Sequence, residues 1–167
     1  MTQIDLRRLQ ADDTPAFRTL RLDALKRDPE FFGTDYADAV CQSDLSFRHR
    51  IETAFIVGAF DQTRLIACAA FDAETRPRTA HRGWITSFIV HAEYQRLGIG
   101  SAMLTFITEH CRERAILQIE LFVTEHNDAA CALYARNGFE IHGRSPRALW
   151  LDGGFVDELH MVCVLDA

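Results

Sequence analysis

The chain has 167 residues, five scattered cysteines and a formal net charge of −6 from 18 basic and 24 acidic side chains. That length suits one domain with a real core, and the acidic balance leaves no electrostatic footprint for nucleic acid and mildly disfavours an anionic membrane. A disulfide scaffold is not needed at this length, and an odd set of cysteines with no C-x-x-C or Cys/His ligand spacing argues for reduced thiols.

The N-terminal "MTQIDLRRLQADD" lacks the apolar region of a signal peptide, and no apolar stretch approaches the ~20 residues of a membrane helix, so a cytoplasmic protein with reduced, buried thiols is expected. "IDLRRL" alternates as an edge strand does. "DDTPAF" then starts a helix, with Asp12 or Asp13 as cap and Pro15 in the first turn, which carries Phe17, Leu20, Leu22 and Leu25 and ends near "RDPE". "DPEFFGTDYADA" reads as an aromatic and acidic loop, with Phe31, Phe32 and Tyr36 beside Asp28, Glu30, Asp35 and Asp38, suited to walling a cationic amine or simply to anchoring itself. "QSDLSFRHRIETA" is a second helix capped by Ser43. "AFIVGAF" and "RLIACAAFDAE" form a hairpin across "DQT", and "GWITSFIV" is the next strand.

Residues 98–113 carry apolar side chains at helical spacing, "ILQIELFV" is a strand, and "NDAACALYARNG" is a helix begun at Asn127 and stopped at Gly138. The tail is two long strands joined at "DGG". Strands and helices mixed in this way predict an α/β or α+β sheet covered on both faces.

"QRLGIGSAML" is the segment that carries chemistry. Glycines at 98 and 100 stand where a strand hands over to a helix, where free N–H groups and the helix dipole suit a pyrophosphate, and Arg96 adds charge. Three residues after Gly100 the dinucleotide fingerprint requires a glycine, and Met103 stands there; a P-loop requires a Gly-Lys pair, and the chain has none. A tight turn or close helix packing remains as the plain structural alternative.

Gln95-Arg96-Leu97-Gly98-Ile99-Gly100 resembles the [QR]-x-x-G-x-[GA] loop of the GNAT superfamily of acetyl-CoA-dependent N-acetyltransferases. Downstream, "LFVTEHNDAACALYARNGF" is similar to that family's V-x-x-x-N-x-x-A-x-x-L-Y-x-x-x-G-F segment, with Val123, Asn127, Ala130, Leu133, Tyr134, Gly138 and Phe139 in register. The resemblance spans roughly residues 50–165. It implies a mixed, mostly antiparallel sheet of about seven strands with a splayed central parallel pair. It further implies one acetyltransferase domain over residues 1–167: an N-terminal strand and acceptor-side helices (1–53), an acetyl-CoA-binding core (54–144) and a C-terminal hairpin (145–167).

Carried over, the resemblance implies that Phe88, Ile89 and Val90 offer main-chain groups to the pantetheine arm. Gln95, Arg96, Leu97, Gly98, Ile99, Gly100 and Ser101 cradle the pyrophosphate, Asn127 contacts the cofactor, and Tyr134 protonates the departing thiolate. Many relatives place a Glu on the strand before the loop, whereas "HRGWITSFIV" has none. His81, Glu120 and Glu125 are therefore the base candidates, beside a water chain. The expected acceptor is a small-molecule or peptide amine attacked directly, with no metal, no acyl-enzyme cysteine and no nucleic-acid or membrane partner. An exposed terminal strand suits a homodimer. The absent strand Glu keeps open a noncatalytic acyl-CoA-binding or sensing domain on the same scaffold.

Overall fold

The computed structural model describes residues 4–166. Strand β1 (Ile4–Arg8) leads through a 3-10 turn (Ala11–Asp13) into α1 (Thr14–Arg27). Asp13 stands at the start of that helix, but the turn before it spends its carboxylate elsewhere. It accepts two hydrogen bonds from Arg7 at 2.8 Å and one from the Gln10 N–H at 2.7 Å. Residues 28–40 are more structured than a loop: Pro29–Phe31 is a 3-10 turn, and α2 (Tyr36–Val40) is capped by Asp35, which accepts from the Ala37 N–H at 2.6 Å. Helix α3 (Asp44–Thr53) has Ser43 as its cap, as expected.

The chain continues through β2 (Phe55–Asp61), β3 (Arg64–Ala73), β4 (Arg82–Val90), α4 (Ile99–Glu113), β5 (Gln118–Thr124), α5 (Asp128–Arg136), β6 (Glu140–Leu151) and β7 (Gly154–Val164). The seven strands form one sheet in the order β1-β2-β3-β4-β5-β7-β6. Only β4 and β5 run parallel; the other neighbours are antiparallel. Strand β1 is an edge, as the alternation of "IDLRRL" predicts, and β6 is the other; β7 lies between β5 and β6.

Period-2 alternation in the central strands gives each face of the sheet its own core. On one face, Ile99, Met103, Leu104, Ile107 and Cys111 of α4 and Tyr134 of α5 pack on Val57, Ala59, Ile66, Ile119, Leu121 and Met161. On the other, Phe17, Leu20 and Ala24 of α1 and Phe47 and Ile51 of α3 cover Ile56, Phe60, Leu65, Cys68 and Ile89. Each large side chain so buried contributes roughly 1.5–3 kcal/mol, which holds the helices to the sheet and fixes the strands between them.

Two irregularities open the middle of this layered body. The β4–β5 pairing consists of Arg82 with Gln118, Gly83 with Ile119 and Trp84 with Glu120, and it ends there. Beyond Trp84 the strands diverge. Strand β4 also loses register against β3 between Cys68 and Ala70, where Ser87 takes a φ of 53°. Such a bulge bends its strand and re-aims its side chains.

Candidate active site

The divergence of β4 from β5 opens a cleft of about 1290 Å³, larger than the ~300–1,000 Å³ of a typical single-ligand pocket and therefore roomy enough for two substrates. Its walls come from α1 and the segment after it, Arg50 of α3, β4 from Trp84 onward, the loop before α4 and its first turn, Phe122 and Val123 of β5, α5 along its length and Glu158 of β7.

One half of the cleft is made mostly of backbone. From Ile85 to Val90, β4 has no parallel partner, so its groups on the β5 side are released from the ladder. The loop that follows enters α4 at Gly98, whose φ of 81° is the left-handed conformation that glycine adopts without a Cβ penalty. A Cβ on Gly98 would meet nothing within 4 Å, so the space in front of it is open. Ala102 is the first residue whose N–H returns to the chain, to Gly98 O at 3.0 Å. The N–H groups of Arg96 through Ser101 have no acceptor among the described residues and, with the positive end of the helix, form an anion cradle. Exposed Arg96 and Arg136 flank it.

Gly100 has a different duty. A Cβ there would stand 2.9 Å from a methyl of Leu133, so its absence lets α5 approach α4. The packing alternative therefore accounts for Gly100, whereas nothing packs against Gly98.

Helix α5 supplies the next two residues. Asn127 caps it, its Oδ1 accepting from the Ala130 N–H at 3.2 Å, and lines the cleft. Tyr134 is 6% exposed, packed edge-on against Phe88 with ring centroids 5.6 Å apart, and its hydroxyl has no hydrogen-bond partner among the described residues. Burial pushes its phenol well above the ordinary tyrosine value, so it remains protonated through the physiological range. Gln95, Gly98, Ile99, Gly100 and Ser101 also line the cleft, as do Phe88, Ile89 and Val90. Leu97 is two-thirds exposed and is not part of the lining.

The three proposed bases are not in the cleft. His81 precedes β4 at the end where it is still paired, exposed, with its carbonyl accepting from the Leu117 N–H at 2.7 Å. Glu120 is 2% exposed and saturated by Arg82 at 3.0 Å, Gln118 at 2.8 Å and His160 at 2.8 Å. Burial alone would raise its carboxyl, but the hydrogen bonds from Gln118 and His160 and the Arg82 charge outweigh burial and hold it below the usual range, which makes it a weak base. Glu125 is exposed and grips Arg144 with two hydrogen bonds of 2.7 and 2.8 Å.

The carboxylate that does line the cleft is Glu158 of β7, opposite Thr124 in the ladder. It is half-buried, has no hydrogen-bond partner among the described residues, and burial raises its carboxyl above the usual value. It was missed because it comes from the last strand, far from every motif. The signal was the inserted strand order: β7 beside β5 turns alternate residues of "DELH" toward the divergence. Nearby, Trp84 stacks on Phe122 and His160, with centroids 5.6 and 5.8 Å away.

The rest of this half also departs from expectation. Of the aromatic and acidic segment, Asp28, Phe31 and Phe32 line the cleft, whereas Glu30, Asp35 and Asp38 are exposed outside it. Beside Asp28 and Glu158, the charges lining this half are Arg21, Arg27 and Arg50, of which Arg27 pairs with Asp28 at 2.7 Å and Arg50 with Asp72 at 2.6 Å. The acidic wall is thus a partly basic one. No cysteine lines the cleft, and burial pushes the thiols of Cys68 and Cys111 up to about 12, leaving them protonated and inert.

The model of the Acetyltransferase (GNAT) family matches residues 8–139. The L-amino acid N-acetyltransferase AaaT of Escherichia coli (strain K12) is 29% identical over 112 residues, 60% of this chain and 67% of that protein. Among solved structures, an acetyltransferase of the GNAT family from Streptococcus pneumoniae superposes with a TM-score of 0.87 at 22% identity, over 98% of this chain and 99% of that one. The acetyltransferase yncA from Salmonella typhimurium, solved with its cofactor acetyl-CoA, superposes with a TM-score of 0.82 at 15% identity, over 99% and 95%.

Proposed function

The chain belongs to the acetyltransferase (GNAT) family, and from that premise we propose that it transfers an acetyl group from acetyl-CoA to a primary amine by direct attack within a ternary complex. The observation that carries the reading is the run of unclaimed N–H groups from Arg96 to Ser101, set at the end of a strand released from its parallel neighbour. Open space before Gly98 suits a diphosphate, and the free edge of β4 suits an amide-bearing arm lying alongside it. When bound, acetyl-CoA supplies the activated thioester carbonyl.

In this reading residues 54–144 carry the cofactor, while residues 1–53 and the 145–167 hairpin shape the acceptor side. Arg96 through Ser101 hold the diphosphate, with Arg96 and Arg136 adding positive charge. Phe88, Ile89 and Val90 orient the arm through their main chain, and Asn127 contributes from the cap of α5. Holding both reactants in one cleft converts a bimolecular encounter into a positioned one.

Two proton transfers remain. The incoming amine must be neutral to attack, and Glu158 takes its proton at a carboxylate oxygen. Its raised pKa brings it nearer to working pH, where a base is most effective. At the other end Tyr134 gives its phenolic proton to the departing sulfur, a role that requires the hydroxyl to be protonated beforehand.

A panel of primary amines incubated with acetyl-CoA, followed by thiol release and product mass, tests the reading. Acetylation of at least one amine is the expected result. Tight CoA binding with no amine turned over would instead favour the noncatalytic acyl-CoA-binding alternative.

A further inference from the structure

On the acceptor side of the cleft, Arg21 is the cation that no acid answers among the described residues. It projects from α1, half-buried, into the acceptor side of the cleft and forms no ion pair among the described residues. Its recorded partners are neutral hydroxyls: Nη1 donates to Ser87 Oγ at 2.6 Å and Nη2 to Thr34 Oγ1 at 3.2 Å. The neighbouring Arg50 shows what a compensated arginine looks like in this protein. It binds both oxygens of Asp72, and Thr86 ties the pair together from 2.9 and 3.1 Å.

An arginine carries five N–H donors, so two hydroxyl contacts leave donors over. The two hydroxyls accept from Arg21, which leaves their own O–H protons free to donate. Three donor groups of one sense therefore converge where β4 bulges at Ser87, on the open stretch of the strand. Phe31 and Phe32 bound the same space. A guanidinium withdrawn from water without a counter-charge is costly to keep, and an incoming carboxylate would relieve that cost. The desolvation is also visible in the guanidinium itself, which burial, seconded by the Arg50 charge, draws below the usual arginine value.

We propose that Arg21, with the hydroxyls of Ser87 and Thr34, forms a carboxylate subsite, so that the acceptor is a small amine bearing its own carboxylate, an amino acid being the simplest case. The inference rests on the acetyl-transfer reading above and adds the acceptor's class to it. Arg21 grips the anionic end, and Glu158, the unpaired acid of the cleft, faces the amine end.

Matched acceptors separate this from a generic amine site: leucine, leucinamide and 3-methylbutylamine, with the phenylalanine series beside them, assayed by kcat/KM on the full chain. The acid is expected to exceed its amide by roughly 100-fold or more, because a site built to bind a polar group rejects the analogue that lacks it. The amide's amine is the weaker base and more of it is neutral, so without the subsite the amide would be the better acceptor. Arg21→Gln should bring the acid-to-amide ratio down to unity or below it, and Arg21→Lys should restore part of the preference. Affinity for acetyl-CoA, read by calorimetry, checks that each variant is folded.

Equal turnover of acid and amide by the wild type, or a preference that survives Arg21→Gln, overturns the subsite and leaves acetyl transfer standing. If no amine is acetylated, acetyl transfer fails, and binding of leucine against leucinamide to CoA-saturated protein still decides the subsite. Tighter binding of the acid supports it, and equal or absent binding overturns it.

Discussion

The two halves of the cleft are built from different materials. The half before α4 is backbone: free N–H groups, a left-handed glycine and the open side of β4. The half beneath α1 is side chains, with Arg21, Thr34, Ser87 and Glu158 drawn from α1, the segment after it, β4 and β7. A backbone site needs only a local fold, so its residues stay contiguous. A side-chain site needs several elements to meet, and a substitution in any of them changes what it accepts. One scaffold can thus keep its cofactor while its acceptor varies.

The sharpest way to break the backbone half is Gly98→Glu. It forces a side chain into a left-handed position and an acid into an anion cradle, and should weaken CoA binding by at least about 100-fold by calorimetry. Binding near the wild-type value would remove the loop from the cofactor site.

In the side-chain half, Glu158→Gln should lower kcat/KM by about 10²–10³-fold with CoA affinity retained, as expected for loss of a general base. The pH profile carries the sign. Glu158 must be ionised to accept a proton and burial raises its pKa, so wild-type kcat/KM should climb with pH through a limb displaced above the ordinary carboxylate range. Persistence of that limb in Glu158→Gln would assign it to another group.

Tyr134 stands between the halves. Tyr134→Phe preserves the packing on Phe88 and removes only the proton donor, so kcat should fall by about 10²-fold with CoA affinity unchanged. An unchanged kcat would make Tyr134 a packing residue.

The smallest effect tests the division of labour between the two glycines. Gly100→Ala crowds Leu133 but leaves the cradle open, and helix propensity offsets part of the crowding. It should move stability by no more than about 1 kcal/mol, or roughly 2–4 °C in Tm, with little change in CoA affinity. A large loss of affinity would return Gly100 to the phosphate site.

Apart from the cap at Asp13 and the short helix α2, the sequence sufficed where one segment decides the outcome. The Ser43 and Asn127 caps, the two strand hairpins and the strand-loop-helix around Gly98 follow from neighbours within a turn or two, where hydrogen bonding and backbone preference act alone. The backbone half of the cleft was legible for the same reason. Tertiary structure decided what depends on distance. It put β7 beside β5 and so brought in Glu158, placed Glu120 in an ion-pair cluster instead of the cleft, turned Glu30, Asp35 and Asp38 outward, and left Arg21 without an acid. Charge and reach act through space, and the order of residues along the chain does not say which of them will face one another across a sheet.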